Sequence, residues 1–234
     1  MIDIDRYLEN EKVKINKALG CYLPDTAPAA ITSAMRYSLE AGGKRLRPIL
    51  TIAVAESLGN LNQDLYILAC AVEMIHTYSL IHDDLPAMDN SDLRRGKPTC
   101  HHIYGDAVAI LAGDALLTLA FQLVSKFGEG EERAVQANRI SAELAAAAGA
   151  AGMIGGQILD LEAEGSEPTL EQVERISALK TGALIRAAIL SGAIASNASD
   201  LEIIALTAYA ESCGKAFQVV DDLLDFEGRR EDLG

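Results

Sequence analysis

The chain has 234 residues, of which half are hydrophobic and only 5% are aromatic. It carries 34 acidic and 20 basic residues, which gives a formal net charge of −14 at pH 7. This charge argues against nucleic acid and anionic membrane surfaces as partners, because both repel an acidic protein. At this length, a single domain over residues 1–234 is the simplest division of the chain.

The hydrophobic pattern predicts an all-α protein. Ala, Leu and Ile recur at helical spacing in five long stretches, and no segment shows sustained period-two alternation. The five stretches are residues 62–82, 106–127, 131–163, 169–196 and 199–226. Thr169 and Gln172 have the spacing of a capping box at the start of the fourth stretch.

The compartment is predicted from the termini, the cysteines and the apolar runs. Residues 1–5 (MIDID) have neither the basic start nor the apolar core of a signal peptide. The four cysteines show no short paired spacing of the kind that indicates a disulfide framework. The run of small residues at 145–156 is too short for a convincing membrane span. We therefore expect a cytoplasmic protein without stable membrane insertion.

The basic residues cluster in two short segments, residues 42–48 (GGKRLRP) and 94–98 (RRGKP). Arg presents a rigid fork that suits phosphate oxygens, Lys a mobile point charge, and Gly lets the backbone approach a ligand closely. Each segment alone is typical of a surface loop. Together, in an acidic chain, they predict a binding site for an anion such as a diphosphate.

The first acidic cluster, residues 83–89 (DDLPAMD), lies between these basic segments. Asp83 and Asp89 are six residues apart, which does not fit one helical face, and Pro86 disturbs a continuing helix. We expect a helix that ends near Asp84 and then turns, so that Asp89 comes back toward the same cation. Carboxylates of this kind are the oxygen ligands that Mg2+ takes together with substrate phosphates.

The second acidic cluster, residues 221–225 (DDLLD), fits a single helix. Asp221 and Asp225 lie one above the other at 3.6 residues per turn, and Asp222 reaches the same edge. Like charges at this spacing repel one another unless a cation lies between them. Each cluster alone is typical of a solvated helix end, but two clusters with nearby basic segments predict metal ligands.

Five ordered segments resemble the trans-isoprenyl diphosphate synthase (polyprenyl synthetase) family. They are GGKRLRP, DDLPAMD with the following LRRGKPT, GDALL from Gly113, KTG from Lys180, and GKAFQVVDDLLD from Gly214. The resemblance is nearest to the bacterial type of farnesyl diphosphate synthase (geranyltranstransferase). It implies an all-α, single-domain isoprenoid synthase fold, with antiparallel helices around a deep central cavity.

The resemblance also implies roles for individual residues in head-to-tail prenyl transfer. The carboxylates would hold Mg2+, with Mn2+ as the alternative metal: Asp83, Asp84, Asp89, Asp221, Asp222 and Asp225. Basic and polar groups would bind the two substrates, isopentenyl diphosphate through Lys44, Arg47, His76 and Arg95, and an allylic diphosphate (dimethylallyl or geranyl) through Arg94 and Lys180. Thr181 and Gln218 would place oxygens near the reacting cation. Gln157 and Asp160 would form a polar pair that lines the cavity. For His76, Gln157, Thr181 and Gln218, a polar contact between helices is the competing interpretation.

Product length is predicted from the residues one helical turn before the first acidic cluster. Tyr78 and Ser79 precede Asp83 by five and four residues, and they should face the growing chain. An aromatic ring is a large, rigid plug, so Tyr78 favours farnesyl diphosphate as the product. In the competing interpretation Tyr78 only packs in the core, and the product is geranylgeranyl diphosphate or a longer chain.

Two further functions stay open at this point. A non-catalytic, partner-binding member of the family would keep the fold, but it would have no need for clustered like charge. A terpene cyclase would share one acidic cluster, but it would not need a second diphosphate pocket formed by Lys44, Arg47 and Arg95. Relatives are usually homodimers and continue past the second acidic cluster with further helices. We therefore expect a homodimer whose active form includes such a C-terminal segment.

Overall fold

The computed structural model describes residues 3–227, except for the side chains at 132, 221, 222 and 224–227. Within these residues the prediction of an all-α protein is confirmed. The first six helices are α1 (Ile4–Tyr22), α2 (Ala29–Glu40), α3 (Leu46–Ser57), α4 (Leu65–Asp83), α5 (Cys100–Tyr104) and α6 (Asp106–Phe127). The next five are α7 (Glu131–Ala148), α8 (Met153–Ala163), α9 (Leu170–Ser177), α10 (Ala183–Ala195) and α11 (Asp200–Glu227). A π-helical turn, Ala178–Gly182, joins α9 to α10.

The predicted helical stretches differ from the observed helices in one main respect. The stretch 131–163 is broken between α7 and α8, because Gly149 ends one helix in an extended conformation and Gly152 precedes the next. A Cβ on Gly152 would lie 2.6 Å from the carbonyl oxygen of Ala146, so the chain can turn this tightly only with glycine. At the start of α9 the predicted capping box is confirmed. Thr169 accepts from the backbone of Gln172 at 3.3 Å, and Gln172 accepts from the backbone of Thr169 at 2.8 Å.

The chain divides into two compact units. Within the described residues, the first unit comprises 3–49 together with Tyr66–Lys126, and the second comprises Leu50–Leu65 and 127–227. The predicted single domain over 1–234 is not tested by this division and stays a prediction.

The first unit is built around α4. Most residues of this helix are buried, and Leu68, Met74 and Ile75 on it are fully buried. The unit also contains the only strands among the described residues, β1 (Leu93–Arg94) and β2 (Lys97–Pro98), which pair as an antiparallel hairpin. Both the first acidic cluster and the two basic segments belong to this unit.

The second unit is built around α10. This helix is buried from Leu184 to Ala195 except at Arg186, and a helix that is apolar on all sides belongs in the interior. Its residues Ile185 and Ile189 pack in one core cluster with Val54 of α3 and Ala210 of α11. The KTG segment lies on the π-helical turn that leads into this helix.

Four helical stretches of the described chain could cross a membrane by length and composition alone: Leu65–Asp83, Asp106–Phe127, Arg133–Ala163 and Leu170–Ala195. The most apolar part of the first and fourth is 67% and 61% buried inside the protein, against 44% and 33% for the other two. Burial against other helices accounts for the apolar character of the first and fourth stretches. The absence of membrane insertion stays a prediction.

Candidate active site

The first acidic cluster forms a tight turn at the end of α4. The helix ends at Asp83, and the chain reverses so that the backbone N–H of Asp89 donates to the carbonyl oxygen of Asp83 at 2.9 Å. The predicted reversal of the chain is therefore confirmed. Asp83 is half-buried and Asp89 is exposed, whereas Asp84 is only 3% exposed. The three carboxylates thus occupy very different environments within one turn.

Asp84 is bound by Arg94 through a bidentate ion pair. The Nε atom of Arg94 lies 2.9 Å from both carboxylate oxygens, and a terminal nitrogen lies 2.6 Å from Oδ1. Burial lowers the pKa of Arg94, but the hydrogen bonds and charge of Asp84 outweigh it, so the net pKa is raised. Both carboxylate oxygens of Asp84 are therefore engaged by Arg94. Asp83 and Asp89 are the carboxylates of this turn that are better placed for a cation.

The hairpin β1–β2 orients the second basic segment. Its two turn residues, Arg95 and Gly96, have φ angles of +54° and +72°, which is the pattern of a type I′ turn. Arg95 is a bulky residue in a conformation that favours Gly, Asn or Asp, which stores backbone strain. Its guanidinium donates to the carbonyl oxygen of Gly42. A Cβ on Gly43 would lie 2.6–2.7 Å from the guanidinium, so this contact needs glycine.

Arg45 anchors the first basic segment, a role that sequence analysis missed. Its side chain is buried and donates to Asn16 at 2.9 Å, to Glu73 at 2.5 Å and to the carbonyl oxygen of Leu39. Its backbone has a φ of +53° just before α3 begins. Glu73, an acid within the apolar run at residues 67–75 of α4, is the signal that could have indicated a buried cation partner.

His76 lies among the arginines of both basic segments. Its Nε2 atom is 3.5 Å from a terminal nitrogen of Arg47, and since arginine only donates, Nε2 is the acceptor. Burial lowers the pKa of His76 well below its usual value of 6.5, and four positive charges lower it further: Arg47, Arg95, Arg45 and Arg94. His76 is therefore neutral, and the charges around it create a strongly positive surrounding that favours an anion. Lys44 is exposed on the loop beside this cluster.

The KTG segment of the second unit is held by polar contacts within that unit. Nζ of Lys180 lies 2.6 Å from Oδ2 of Asp160, and Oγ of Ser177 donates to Gln218 at 2.9 Å. Thr181 is half-buried in the same π-helical turn, a type of distortion that often marks a functional site. The turn approaches α8 closely, because a Cβ on Gly156 would lie 2.7 Å from the Cα of Lys180.

The structure also describes three further predicted site residues, Tyr78, Ser79 and Gln157. Tyr78 is 5% exposed, and its hydroxyl has no hydrogen-bond partner among the described residues. Ser79 donates to the carbonyl oxygen of His76 at 2.9 Å, and the buried Oε1 of Gln157 has no partner within the described chain.

The backbone of α11 passes through the second acidic cluster, but the side chains of Asp221, Asp222 and Asp225 lie outside the described residues. Among the side chains that are described, no group of three His, Cys, Asp or Glu residues could hold a metal.

An all-helical fold with an aspartate turn beside a cluster of arginines and a neutral histidine defines an isoprenoid synthase. The family model "Polyprenyl synthetase" matches residues 28–234, and the chain belongs to this family. The chain is 45% identical over 229 residues to the farnesyl diphosphate synthase of Bacillus subtilis, with 97% of this chain and 77% of that protein covered. Geranylgeranyl pyrophosphate synthase 3 of Arabidopsis thaliana is 47% identical over 235 residues, with coverages of 99% and 65%.

Solved structures support the same assignment. An apo crystal structure of an FPP/GFPP synthase from Zymomonas mobilis superposes with a TM-score of 0.89 at 40% identity. The match covers 97% of this chain and 83% of the Zymomonas mobilis chain. The family is metal-dependent, and membership makes this chain a prenyltransferase. The expected fold, family and enzyme class are thus confirmed.

Proposed function

We propose that this protein condenses isopentenyl diphosphate head-to-tail with an allylic diphosphate, dimethylallyl or geranyl, and releases farnesyl diphosphate. The observation that carries this proposal is the first unit's arrangement of the Asp83–Asp89 turn beside four arginines and the neutral His76. Such a site offers oxygen ligands for a cation and donors for a diphosphate in one place. Relatives named farnesyl diphosphate synthase support the choice of product.

Isopentenyl diphosphate would bind at the cluster of Lys44, Arg47, His76 and Arg95. Arg95 is aimed by the hairpin turn and by the glycines beneath it, while Lys44 supplies a mobile charge from the exposed loop. Arg47 donates toward His76, whose neutral state lets it accept. A diphosphate can therefore receive several charge-assisted hydrogen bonds at once, which fixes its orientation.

The metal is proposed to be Mg2+, with Mn2+ as the alternative. Hard carboxylate oxygens suit these ions, and the half-buried Asp83 and exposed Asp89 would hold one. The metal-binding roles implied for Asp221, Asp222 and Asp225 stay predictions. When bound, the metal supplies Lewis-acid stabilisation of the negative charge on the departing diphosphate. Asp84 keeps Arg94 in place, so that this guanidinium can bind diphosphate oxygens. The roles implied for Lys180, Thr181, Gln157 and Gln218 stay predictions.

The choice between farnesyl and geranylgeranyl diphosphate depends on Tyr78. Its ring is buried on α4, five residues before Asp83, where an aromatic side chain takes up space that a longer product would need. Geranylgeranyl diphosphate is the second candidate product, because several similar relatives carry that name.

Two accompanying proposals concern assembly and compartment. We infer a homodimer from the exposed apolar side chains Ile103, Ile110 and Leu111, which are 44–57% exposed in the first unit. Light scattering on the purified protein tests this proposal. A cytoplasmic location is supported by the four cysteines, which all carry free thiols.

Product analysis of the purified full-length protein tests the proposed function. The protein is incubated with labelled isopentenyl diphosphate, geranyl diphosphate and Mg2+, and the dephosphorylated alcohols are separated by chromatography. Farnesol as the main product, lost on chelation and in Asp83→Ala, is expected. Geranylgeraniol would favour the second candidate, and no prenyl alcohol at all would contradict the enzymatic function.

A further inference from the structure

We propose that His82 and Gly113 form a brace that holds the ring of Tyr78 where it limits product length. This inference rests on the proposed function, because it concerns the length of the prenyl chain. It assigns a role to Gly113 of the GDALL segment, for which the proposed mechanism has no use. All three residues belong to the first unit.

The brace contacts Tyr78 through an aromatic pair on α4. Tyr78 and His82 are four residues apart, so their side chains lie one above the other on the same face of the helix. Their ring centroids are 5.7 Å apart, and the ring planes meet at 79°, which is an edge-to-face arrangement. Aromatic pairs favour this geometry, so the imidazole restricts the positions that the phenol ring can take.

Among the described residues, no hydrogen bond to Tyr78 could hold its ring instead. Its buried hydroxyl has no hydrogen-bond partner within the described part of the chain. The orientation of the ring is therefore set by packing, and the contact with His82 lies on the side toward the first acidic cluster. A change in the position of His82 should thus move the ring of Tyr78.

His82 is itself fixed against α6. Its Nε2 atom lies 3.0 Å from the carbonyl oxygen of Ile110, within hydrogen-bond distance. The imidazole lies directly on Gly113, where an added Cβ would be only 2.6 Å from Cδ2 of His82 and closer still to Nε2. Any larger residue at 113 would displace the imidazole. Glycine at this position therefore lets α6 receive the ring that braces Tyr78.

Product-length analysis of single and double variants tests the brace. His82→Ala and Gly113→Ala should each raise the ratio of geranylgeraniol to farnesol about tenfold, the scale of a lost packing contact in a specificity pocket. His82→Phe retains the aromatic contact and should keep farnesol as the product. Because His82 acts through Tyr78, His82→Ala should add no further shift in a Tyr78→Ala background. Gly20→Ala is the matched control, since a Cβ there meets only an ordinary contact at 3.9 Å.

A stability measurement keeps the test independent of turnover. Gly113→Ala should lower the melting temperature by roughly 5 °C through overpacking, and His82→Ala in the same chain should recover most of this loss. Unchanged product ratios in His82→Ala and Gly113→Ala would overturn the brace. So would a further shift in product ratio when His82→Ala is added to Tyr78→Ala. If the wild-type protein makes no prenyl alcohol, the proposed function fails. In that case, the absence of coupling between Tyr78→Ala and His82→Ala in thermal stability would still overturn the brace.

Discussion

Two ion pairs, one in each unit, have nearly the same length but opposite surroundings. Arg45 and Glu73 are 2.5 Å apart with side chains 1% and 2% exposed, while Lys180 and Asp160 are 2.6 Å apart with side chains 32% and 44% exposed. A buried pair cannot exchange its partner without leaving a bare charge in the core. A half-exposed lysine can turn to another anion at little cost. The first pair therefore builds the basic segment, and the second is available to a ligand.

Loss of the buried pair should destabilise the protein strongly. Arg45→Met leaves Glu73 as an uncompensated buried charge, so the free energy of unfolding should fall by about 3–5 kcal/mol. Chemical denaturation of the purified variant measures this loss. The matched control, Arg45→Met combined with Glu73→Leu, should recover most of it, because no unpaired charge remains. A single variant as stable as the wild type would show that the pair is not structural.

The exposed pair should behave in the opposite way. Lys180→Met should change the free energy of unfolding by less than about 1 kcal/mol. Its turnover number should nevertheless fall about 100-fold, the scale of one lost charge-stabilising group. Steady-state kinetics and denaturation of the same preparation measure both quantities. Full activity in this variant, or a stability loss like that of Arg45→Met, would remove the contrast between the two pairs.

Gly43 and Gly59 both have positive φ angles, but only Gly43 lies against a proposed substrate-binding residue. Gly43→Ala places a Cβ 2.6–2.7 Å from the guanidinium of Arg95, whereas a Cβ on Gly59 meets no atom within 4 Å. Their φ angles are +127° and +81°, so both substitutions should cost about 1–2 kcal/mol in backbone strain. Only Gly43→Ala should raise the KM for isopentenyl diphosphate, about tenfold, through one displaced donor. An equal KM in the two variants would contradict the placement of Arg95 at the substrate.

A modest effect is expected on the pH dependence of stability. The pKa of His76 is lowered by burial and by four arginines, so the unfolded chain takes up a proton first as the pH falls. The stabilisation from neutral His76 is present above about pH 6.5 and is lost as the pH falls toward the lowered pKa. His76→Phe should therefore lose less stability than the wild type between pH 7.5 and pH 5.5. Denaturation curves at each pH measure the free energy of unfolding of the two proteins. An equal loss in both between pH 7.5 and pH 5.5 would refute the neutral state of His76.

Local signals account for the parts of the site that sequence reasoning predicted. The spacing of Asp83 and Asp89 around Pro86 indicated the reversal of the chain, and Thr169 with Gln172 indicated a capping box. Both features depend on residues within a few positions of each other. Such patterns can be predicted from sequence because they depend on short-range backbone geometry.

The missed features depend on distant residues or on small distortions. Arg45 meets Glu73 across 28 residues, so the apolar residues around Glu73 indicate a buried acid but do not identify its partner. The alanines before Gly152 favour a continuous helix, so the sequence pattern does not reveal the break between α7 and α8. The π-helical turn Ala178–Gly182 shows no signal in the local sequence, and its close neighbours, Gly156 of α8 and Gly214 of α11, are distant in the chain.

The isopentenyl diphosphate site proposed for the first unit consists of side-chain nitrogens alone, Lys44, Arg47, His76 and Arg95, so it should bind this substrate without a metal. Calorimetric titration of isopentenyl diphosphate into the full-length protein, with a chelator present, tests this expectation. We expect saturable binding to the wild type and to Asp83→Asn, and a loss of about tenfold or more in affinity in Arg95→Gly. Binding that requires Mg2+, or that is unaffected by Arg95→Gly, would contradict the account.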